Sequence, residues 1–347
     1  MSEQLSMQGA INKLVNGISL TRQEAQDMMR QIMSGEATSA QISAAAIALR
    51  MKGETKDEIA GLAEVMRNFS AHVENSHNGL LDTCGTGGSG ISKFNISTAS
   101  SLIASAAGIS VAKHGNRAMS GKSGSADVLE ALGVNINITP QQAKECLEDV
   151  GICFMFAQLY HPSLKYAAAP RKEIGTRTIF NMLGPLTNPA NADRQLLGLY
   201  DASKTEVIAE VLHELGIVRA LVVSSDDGLD EISISAPTKV SELKDGKVTT
   251  YSITPEELGL TRYPLTEVYG GEPVVNAQII RDIFDGKRKD GYREIVLANA
   301  GACIYLGGLA DSHREGVQIA AEIIDSGKAA QKLTQLIEKT GEVSNVS

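Results

Sequence analysis

Over roughly the first seventy positions, apolar residues recur at three- and four-residue intervals: Ile42, Ala46 and Leu49, then Ile59, Leu62, Met66 and Phe69. That period puts an apolar stripe on one side of each segment and predicts a small helical bundle. The helix starts are spelled out. Thr21 with Glu24, Thr38 with Gln41 and Thr55 with Glu58 each set a hydroxyl three residues before an acid or amide. In that pattern the two side chains satisfy N–H groups that a first turn leaves unpaired. Gly35 and Gly53 are placed to end the first two of these helices. The polar run AHVENSHNG, 71–79, predicts the way out of the bundle.

From Leu80 the pattern changes to short apolar runs alternating with helical ones. A strand is predicted to begin at 79–81, with others over 109–112, 134–136, 152–156, 196–200 and 220–224. Helices lie between them, such as 139–150, opened by Thr139 and Pro140 and closed before Gly151. Such alternation predicts the α/β class, with a central, mostly parallel sheet covered on both faces. Residues 231–253 alternate around Asp245 and Gly246 and predict a β-meander. The last seventy or so residues are helical again. The stretch 165–190, punctuated by Pro170, Pro185 and Pro189, predicts an amphipathic segment that crosses back to the bundle. The expected organisation is a small helical domain, 1–72, with 169–188 packed back on it, and a large α/β domain formed by 73–168 and 189–347. There is no internal repeat or low-complexity tract.

Composition narrows the class. With 347 residues, 43% hydrophobic and 21% charged, the chain reads as soluble and globular with an ample core. Aromatics at 4%, with no Trp, disfavour a stacking surface for bases or sugars. A net charge of −9 disfavours a broad nucleic-acid footprint, so an anionic ligand has to be held locally. Cys84, Cys146, Cys153 and Cys303 show no CxxC pair and no His at metal spacing, which predicts reduced thiols. Cys84, beside a glycine loop, reads as a small packing residue rather than a nucleophile. No apolar signal core opens the chain and no run reaches the ~18 apolar residues of a membrane span, so a cytoplasmic location is expected.

Candidate chemistry sits where strands end. DTCGTGGSGISKFNIST, 82–98, follows a strand and enters a helix near Ser97. Its glycines let several N–H groups converge on one point, which attracts an anion, most often phosphate. A plain glycine-rich βα turn has the same composition. No Gly-Lys-Ser/Thr closes a Walker loop. Gly85, Gly87 and Gly90 have Rossmann spacing, but no acid follows until Asp127, which disfavours a dinucleotide. A second cluster, KHGNRAMSGKSGSADVLEALG at 113–133, sets Lys113, Arg117 and Lys122 among Gly115, Ser120, Gly121, Ser123 and Gly124. Two such loops at successive strand ends predict a multiply charged phosphate compound. His114 is open to a role as general base, but no acid stands at a suggestive spacing, which favours a structural His. The third cluster, SSDDGLDEISIS, offers Asp226, Asp227, Asp230 and Glu231. Beside phosphate loops it suggests magnesium, which takes oxygen ligands. Asp230 and Glu231 are the favoured pair because a strand is predicted directly after them; Asp226 and Asp227 read as turn residues. Arg171, Arg177 and Asn181 lie on the crossing segment, where an Arg can grip a carboxylate bidentately or join an interhelical ion pair.

Together these residues resemble the anthranilate phosphoribosyltransferase family over nearly the whole chain. GTGG stands at 85–88, NxST at 95–98, KHGNR at 113–117 and SGKSGSAD at 120–127. RKEIGTRTIFNMLGPLTNPA resembles the family's arginine-bearing anthranilate segment, and DGLDE its metal motif. The resemblance implies a fold of nucleoside phosphorylase/phosphoribosyltransferase type, a homodimer, and Mg2+-dependent transfer of phosphoribosyl from 5-phosphoribosyl-1-pyrophosphate to the amine of anthranilate. Pyrophosphate is released, the step belongs to tryptophan biosynthesis, and no catalytic acid or base is implied. Diphosphate-sugar positions are implied at Gly85, Gly88, Ser89, Lys93, Asn95, Ile96, Ser97, Thr98, Lys113, His114, Gly115, Asn116, Arg117, Ala118, Met119, Ser120, Gly121 and Ser125. Metal ligands are implied at Ser97, Asp230 and Glu231, and anthranilate contacts at Gly85, Asn116 and Arg171. Ser89 and Lys93 stand where the family usually has Asp and Thr; both changes make the loop less negative and bear on donor affinity and magnesium sensitivity. A pyrimidine-nucleoside phosphorylase of related architecture is one alternative. An inactive nucleic-acid-binding relative is another, and the acidic charge speaks against it.

Overall fold

The computed structural model describes residues 4–88, 90–118 and 121–344. It opens with α1 Met7–Val15, α2 Arg22–Met33, α3 Ser39–Lys52 and α4 Lys56–Asn68. The three threonine capping boxes all close reciprocally, so the local signals do start these helices. Gly35 has φ +82°, and a Cβ there would lie 2.7 Å from the ring of Tyr166 on the crossing segment. Its small size therefore serves both a chain reversal and a tertiary contact.

The chain continues through β1 Leu81–Gly85, α5 Ile96–Ala106, β2 Val111–Gly115, α6 Ser125–Leu132, α7 Pro140–Val150 and β3 Ile152–Phe156. Next come α8 Ala157–Tyr160, α9 Lys165–Ile174, α10 Phe180–Leu183, β4 Arg194–Gly198, α11 Thr205–Glu214 and β5 Arg219–Ser225. A hairpin, β6 Thr238–Lys244 and β7 Lys247–Ile253, precedes α12 Pro273–Phe284, α13 Gly291–Gly307, α14 His313–Asp325 and α15 Lys328–Ser344. The sheet order is β3-β2-β1-β4-β5-β6-β7, parallel through β5 and antiparallel beyond it. This is the expected α/β class.

Three expectations change. Residues 134–136 belong to no strand; the Asn135 N–H donates to Thr340 Oγ1 at 3.2 Å, and Val134 and Ile136 simply fill the core. The meander over 231–253 is a two-stranded hairpin, because side chains take up the backbone donors of its first part. Ile232 N–H donates to Asn299 Oδ1 at 3.0 Å and Ser233 N–H to Thr238 Oγ1 at 3.0 Å, and pairing begins only at Thr238. Asp245 (φ +51°) and Gly246 (φ +72°) make its two-residue turn. The second strand also runs past its apolar residues to Gly115, since its register with β3 continues from Lys113↔Phe154 to Gly115↔Phe156.

Alternation along β4 and β5 sends Leu196, Leu221 and Val223 to one face, against α5 and α12 to α15. Leu197, Ala220 and Val222 go to the other face. That second face shares one continuous core with the bundle, and Ala167, Ile179, Phe180 and Leu183 of the crossing segment belong to it. The bundle thus sits on half of the sheet, with α9 packed on α3 and α10 on α4.

Glu58 locks this arrangement from a fully buried position. It accepts from Leu20 N–H at 2.9 Å, from Thr55 N–H at 2.8 Å and from Lys52 Nζ at 2.9 Å, joining the ends of three helical elements. Its removal leaves two N–H groups and a buried ammonium without an acceptor. Glu58→Ala is expected to cost about 3 kcal/mol of stability, read as a lowered urea midpoint by circular dichroism. A loss comparable to an ordinary exposed cap, about 1 kcal/mol, would show that water replaces it.

Candidate active site

Sheet order reverses between β1 and β4, the place where an open parallel sheet leaves a crevice at its carboxyl edge. Among the loops that leave that edge are 86–95 after β1, 116–124 after β2 and 226–237 after β5.

Asp230 ties the first and third together. Gly85 and Gly198 are register partners on β1 and β4. A Cβ on Gly85 would stand 2.7 Å from Asp230 Oδ2, and one on Gly198 only 1.9 Å from the Asp230 carbonyl. The paired glycines therefore open the space that Asp230 fills. Asp230 Oδ2 accepts from Gly87 N–H at 3.0 Å, while Oδ1 lies 2.9 Å from Lys93 Nζ. The same ammonium is 2.6 Å from Glu231 Oε1. Burial alone would raise the Asp230 carboxyl, but the Lys93 charge and the Gly87 N–H outweigh it and hold it below the usual range. For Glu231 burial wins, and its carboxyl is raised despite Lys93. The rigidity expected from a following strand comes instead from these contacts and from Asn299 on α13. Asp227 is a turn organiser as expected, accepting from the hydroxyls of Ser225, Ser233 and Ser235 and from Leu229 N–H.

Asn95 ties the first loop to the second. Its Nδ2 donates to Ser123 O at 3.0 Å, and its Oδ1 accepts from Ser123 Oγ at 3.1 Å and from Asn276 Nδ2 at 2.9 Å. Lys113 Nζ donates to Thr83 O and, at 3.3 Å, to Ser97 Oγ, bracing β1 and the start of α5. The Ile96 side chain is in the core and its N–H is committed to Phe94 O. Thr98 is buried too. Arg117 turns to α6, pairing with Asp127 at 2.9 Å and with Glu130. Asp127 in turn accepts from Ala118 and Gly124 N–H, each at 2.9 Å, and so shapes the loop. Gly115 is required by Ser125, whose Oγ would be 2.1 Å from a Cβ. That Oγ donates to Asn116 O at 3.3 Å. Gly121 borders open space. Ser89, Met119 and Ser120 lie outside the described residues.

On the crossing segment, Arg177 makes the contact with the glycine loop. It donates to Gly88 O and stacks 4.3 Å from the centre of the Tyr200 ring. Arg171 lies over Phe180 at 5.6 Å and has no ion-pair partner among the described residues. Asn181 Oδ1 caps Thr178 N–H. Gly198 and Asn276 escaped the sequence reading. The first carried a signal, a glycine inside an apolar strand; the second carried none, being 181 residues from the Asn95 it touches.

Cys84 is a packing residue: burial raises its thiol well above the ordinary value, and Gln195 Nε2 approaches its sulfur at 3.3 Å. His114 lies on the opposite side of β2 from Lys113, with its ring centre 4.9 Å from that of His161. Burial, reinforced by the neighbouring ring, lowers His114 to about 3; burial lowers His161 to about 4. Both are neutral structural rings.

A helical bundle joined to an α/β body, with phosphate-type loops at its switch point, defines a class that the comparisons bear out. Residues 8–70 match the helical bundle domain of the glycosyl transferase family and residues 77–330 its a/b domain. Over 331 residues the chain is 51% identical to an anthranilate phosphoribosyltransferase of Acetivibrio thermocellus, covering 95% of this chain and 96% of the relative. It is 49% identical over 338 residues to that of Brevibacillus brevis, covering 97% and 99%. Among solved structures it is similar to the enzyme of Thermus thermophilus, with a TM-score of 0.91 and 40% identity over 95% of this chain and 99% of that one. It is also similar to the Saccharomyces cerevisiae enzyme in complex with PRPP and Mg, at 0.89 and 25% over 98% and 100%. The chain belongs to the anthranilate phosphoribosyltransferase family.

The two histidines make stability depend on pH with a definite sign. Their folded values lie below the ~6.5 of an unfolded chain, so their contribution is complete above that pH and is lost as pH falls toward 4 and 3. Burial lowers His313 to about 4 as well, so calorimetry at pH 5 should register about three more protons taken up on unfolding than the carboxylates supply. His161→Asn should remove about one of them. Unchanged uptake in that variant would mean that His161 is already charged in the fold.

Proposed function

We propose that this protein transfers the 5-phosphoribosyl group of 5-phosphoribosyl-1-pyrophosphate to the amine of anthranilate, releasing pyrophosphate, in tryptophan biosynthesis. The observation that carries the reading is the convergence of glycine-rich, cationic and acidic loops at one switch point, cross-tied through Asp230 and Asn95. Family membership supplies the substrates.

In this reading Gly85, Gly88, Ser89, Lys93, residues 95–98, 113–121 and Ser125 surround the diphosphate sugar. The N–H groups of Ser97 and Thr98 at the start of α5 face its phosphates, since those of Gly87 and Ile96 are committed to Asp230 and Phe94. Asp230 and Glu231 suit magnesium. They are two buried carboxylates sharing one ammonium, so negative charge is in excess. Among the described residues no third acid, His or Cys joins them, so an ion held there would draw further oxygen ligands from substrate and water. With the Ser97 hydroxyl they are the residues that would hold the ion. When bound, it supplies positive charge against the departing pyrophosphate.

As the bond from C1 to pyrophosphate breaks, the ribose gains oxocarbenium character and the anthranilate nitrogen bonds to C1. Oriented N–H dipoles stabilise the leaving charge. The weakly basic amine sheds its proton to solvent after attack, so no side-chain base is required; the closed His114–His161 pair agrees with that. Gly85, Asn116 and Arg171 receive anthranilate, and the lack of an ion-pair partner for Arg171 among the described residues leaves its guanidinium for the carboxylate. The reading carries a homodimer and a cytoplasmic location, which sedimentation and fractionation check.

The test is loss of anthranilate fluorescence with the diphosphate sugar and magnesium. Turnover of thymidine with phosphate in its place would mean a nucleoside phosphorylase; nucleic-acid binding without either activity would mean an inactive relative. Asp230→Asn or Glu231→Gln should lower magnesium-dependent turnover by about a hundredfold or more, because ligation needs anionic oxygen. Near-parental turnover in both sinks the metal assignment. Arg171→Ala should raise the Michaelis constant for anthranilate about tenfold or more while that for the donor moves less than about twofold. Equal changes in both constants would mark Arg171 as structural.

A further inference from the structure

Lys93 does not reach outward along the phosphate loop. Its ammonium sits between the two acids, 2.9 Å from Asp230 Oδ1, 2.6 Å from Glu231 Oε1 and 3.4 Å from the Asp230 carbonyl. The side chains are 18%, 1% and 8% exposed, so solvent screens this triad little. The backbone that delivers it is fixed. Lys93 bridges Tyr269, Phe94 N–H donates to Val268 O at 3.1 Å and Gly270 N–H donates to Ser92 O at 2.8 Å. Gly270 permits this approach, since a Cβ there would be 2.6 Å from Phe94 N. On the other side the loop holds Gly87, Gly88 and Gly90 at positive φ.

We propose that the Lys93 ammonium is a built-in counter-cation which a divalent ion must displace from Asp230 and Glu231. The inference rests on the assignment of those two acids to a metal. Two buried carboxylates side by side repel each other, and one positive charge between them relieves that repulsion without metal. A divalent ion entering the pair meets the ammonium at the same oxygens, and two cations cannot share them. Entry therefore requires the ammonium to swing away on its flexible stem, with Ser92 and Phe94 still tied to 268–270. The exchange lowers metal affinity in the free protein and releases a cation beside the phosphate loop at the moment the ion is seated.

The test uses Mn2+ alone, titrated into full-length protein without substrates and followed by electron paramagnetic resonance of the free ion. Lys93→Met should bind Mn2+ about tenfold or more tighter than the parent, and Lys93→Arg, which keeps the charge, should resemble the parent. Adding Asp230→Asn to Lys93→Met should abolish the gain. Equal affinity in parent and Lys93→Met overturns the proposal, as does a gain that survives Asp230→Asn. A measurement on the parent needs no destabilising change: the Lys93 ammonium resonance, identified by its absence in Lys93→Arg, should shift as Mg2+ is added. A resonance unmoved at magnesium concentrations that saturate turnover also overturns it. The anthranilate fluorescence assay on the parent judges the function separately; its failure with the Mn2+ pattern intact would overturn the substrate reading and leave the exchange standing.

Discussion

A carboxylate buried to 1% exposure has to be given both room and partners, and Asp230 shapes its surroundings through that demand. Room comes from Gly85 and Gly198, two residues without side chains at matching positions on neighbouring strands. Partners come from Gly87 and Lys93, which lie on the loop after β1. The glycine loop thus takes its path from an acid more than 140 residues further along the chain. The glycine-rich and acid-bearing loops are consequently tied into one unit.

The crossing segment links that unit to the bundle. Ile179, Phe180 and Leu183 share the core that runs from the bundle to one face of β4 and β5. Arg50 on α3 bonds to the backbone of Arg177, and the Arg177 side chain reaches the carbonyl of Gly88. The bundle and the glycine loop are thus connected through Arg50 and Arg177. This couples the segment proposed to hold anthranilate to the loop proposed to hold the donor.

Most cations at the site are already spoken for. Lys93 is held between two acids, Arg117 answers Asp127 and Glu130, and Lys113 braces Thr83 and Ser97. In a chain of net charge −9, the proposed phosphate site therefore relies mainly on oriented N–H groups. The site is preorganised more by backbone direction than by loose positive side chains.

The sequence by itself determined what short-range physics can determine. The capping boxes at Thr21, Thr38 and Thr55 act within one helical turn, and all three formed. Period and alternation marked the bundle, the α/β body and the crossing segment, and the loop motifs marked the family. Strand pairing was less legible: 134–136 is apolar enough for a strand, yet only a partner's hydrogen bonds make one, and here Val134 N–H goes to Leu129 O and Asn135 N–H to Thr340. The partners of the charged site residues were not legible. Lys93 read as a phosphate-loop cation and Arg117 as another, but both turn to acids brought near by folding. Asn276 carried no local sign of its role, because hydrogen bonding to Asn95 depends on distance in space rather than along the chain. Only the tertiary structure decided those contacts, since charge and hydrogen-bond complementarity act between groups whose separation the sheet order sets.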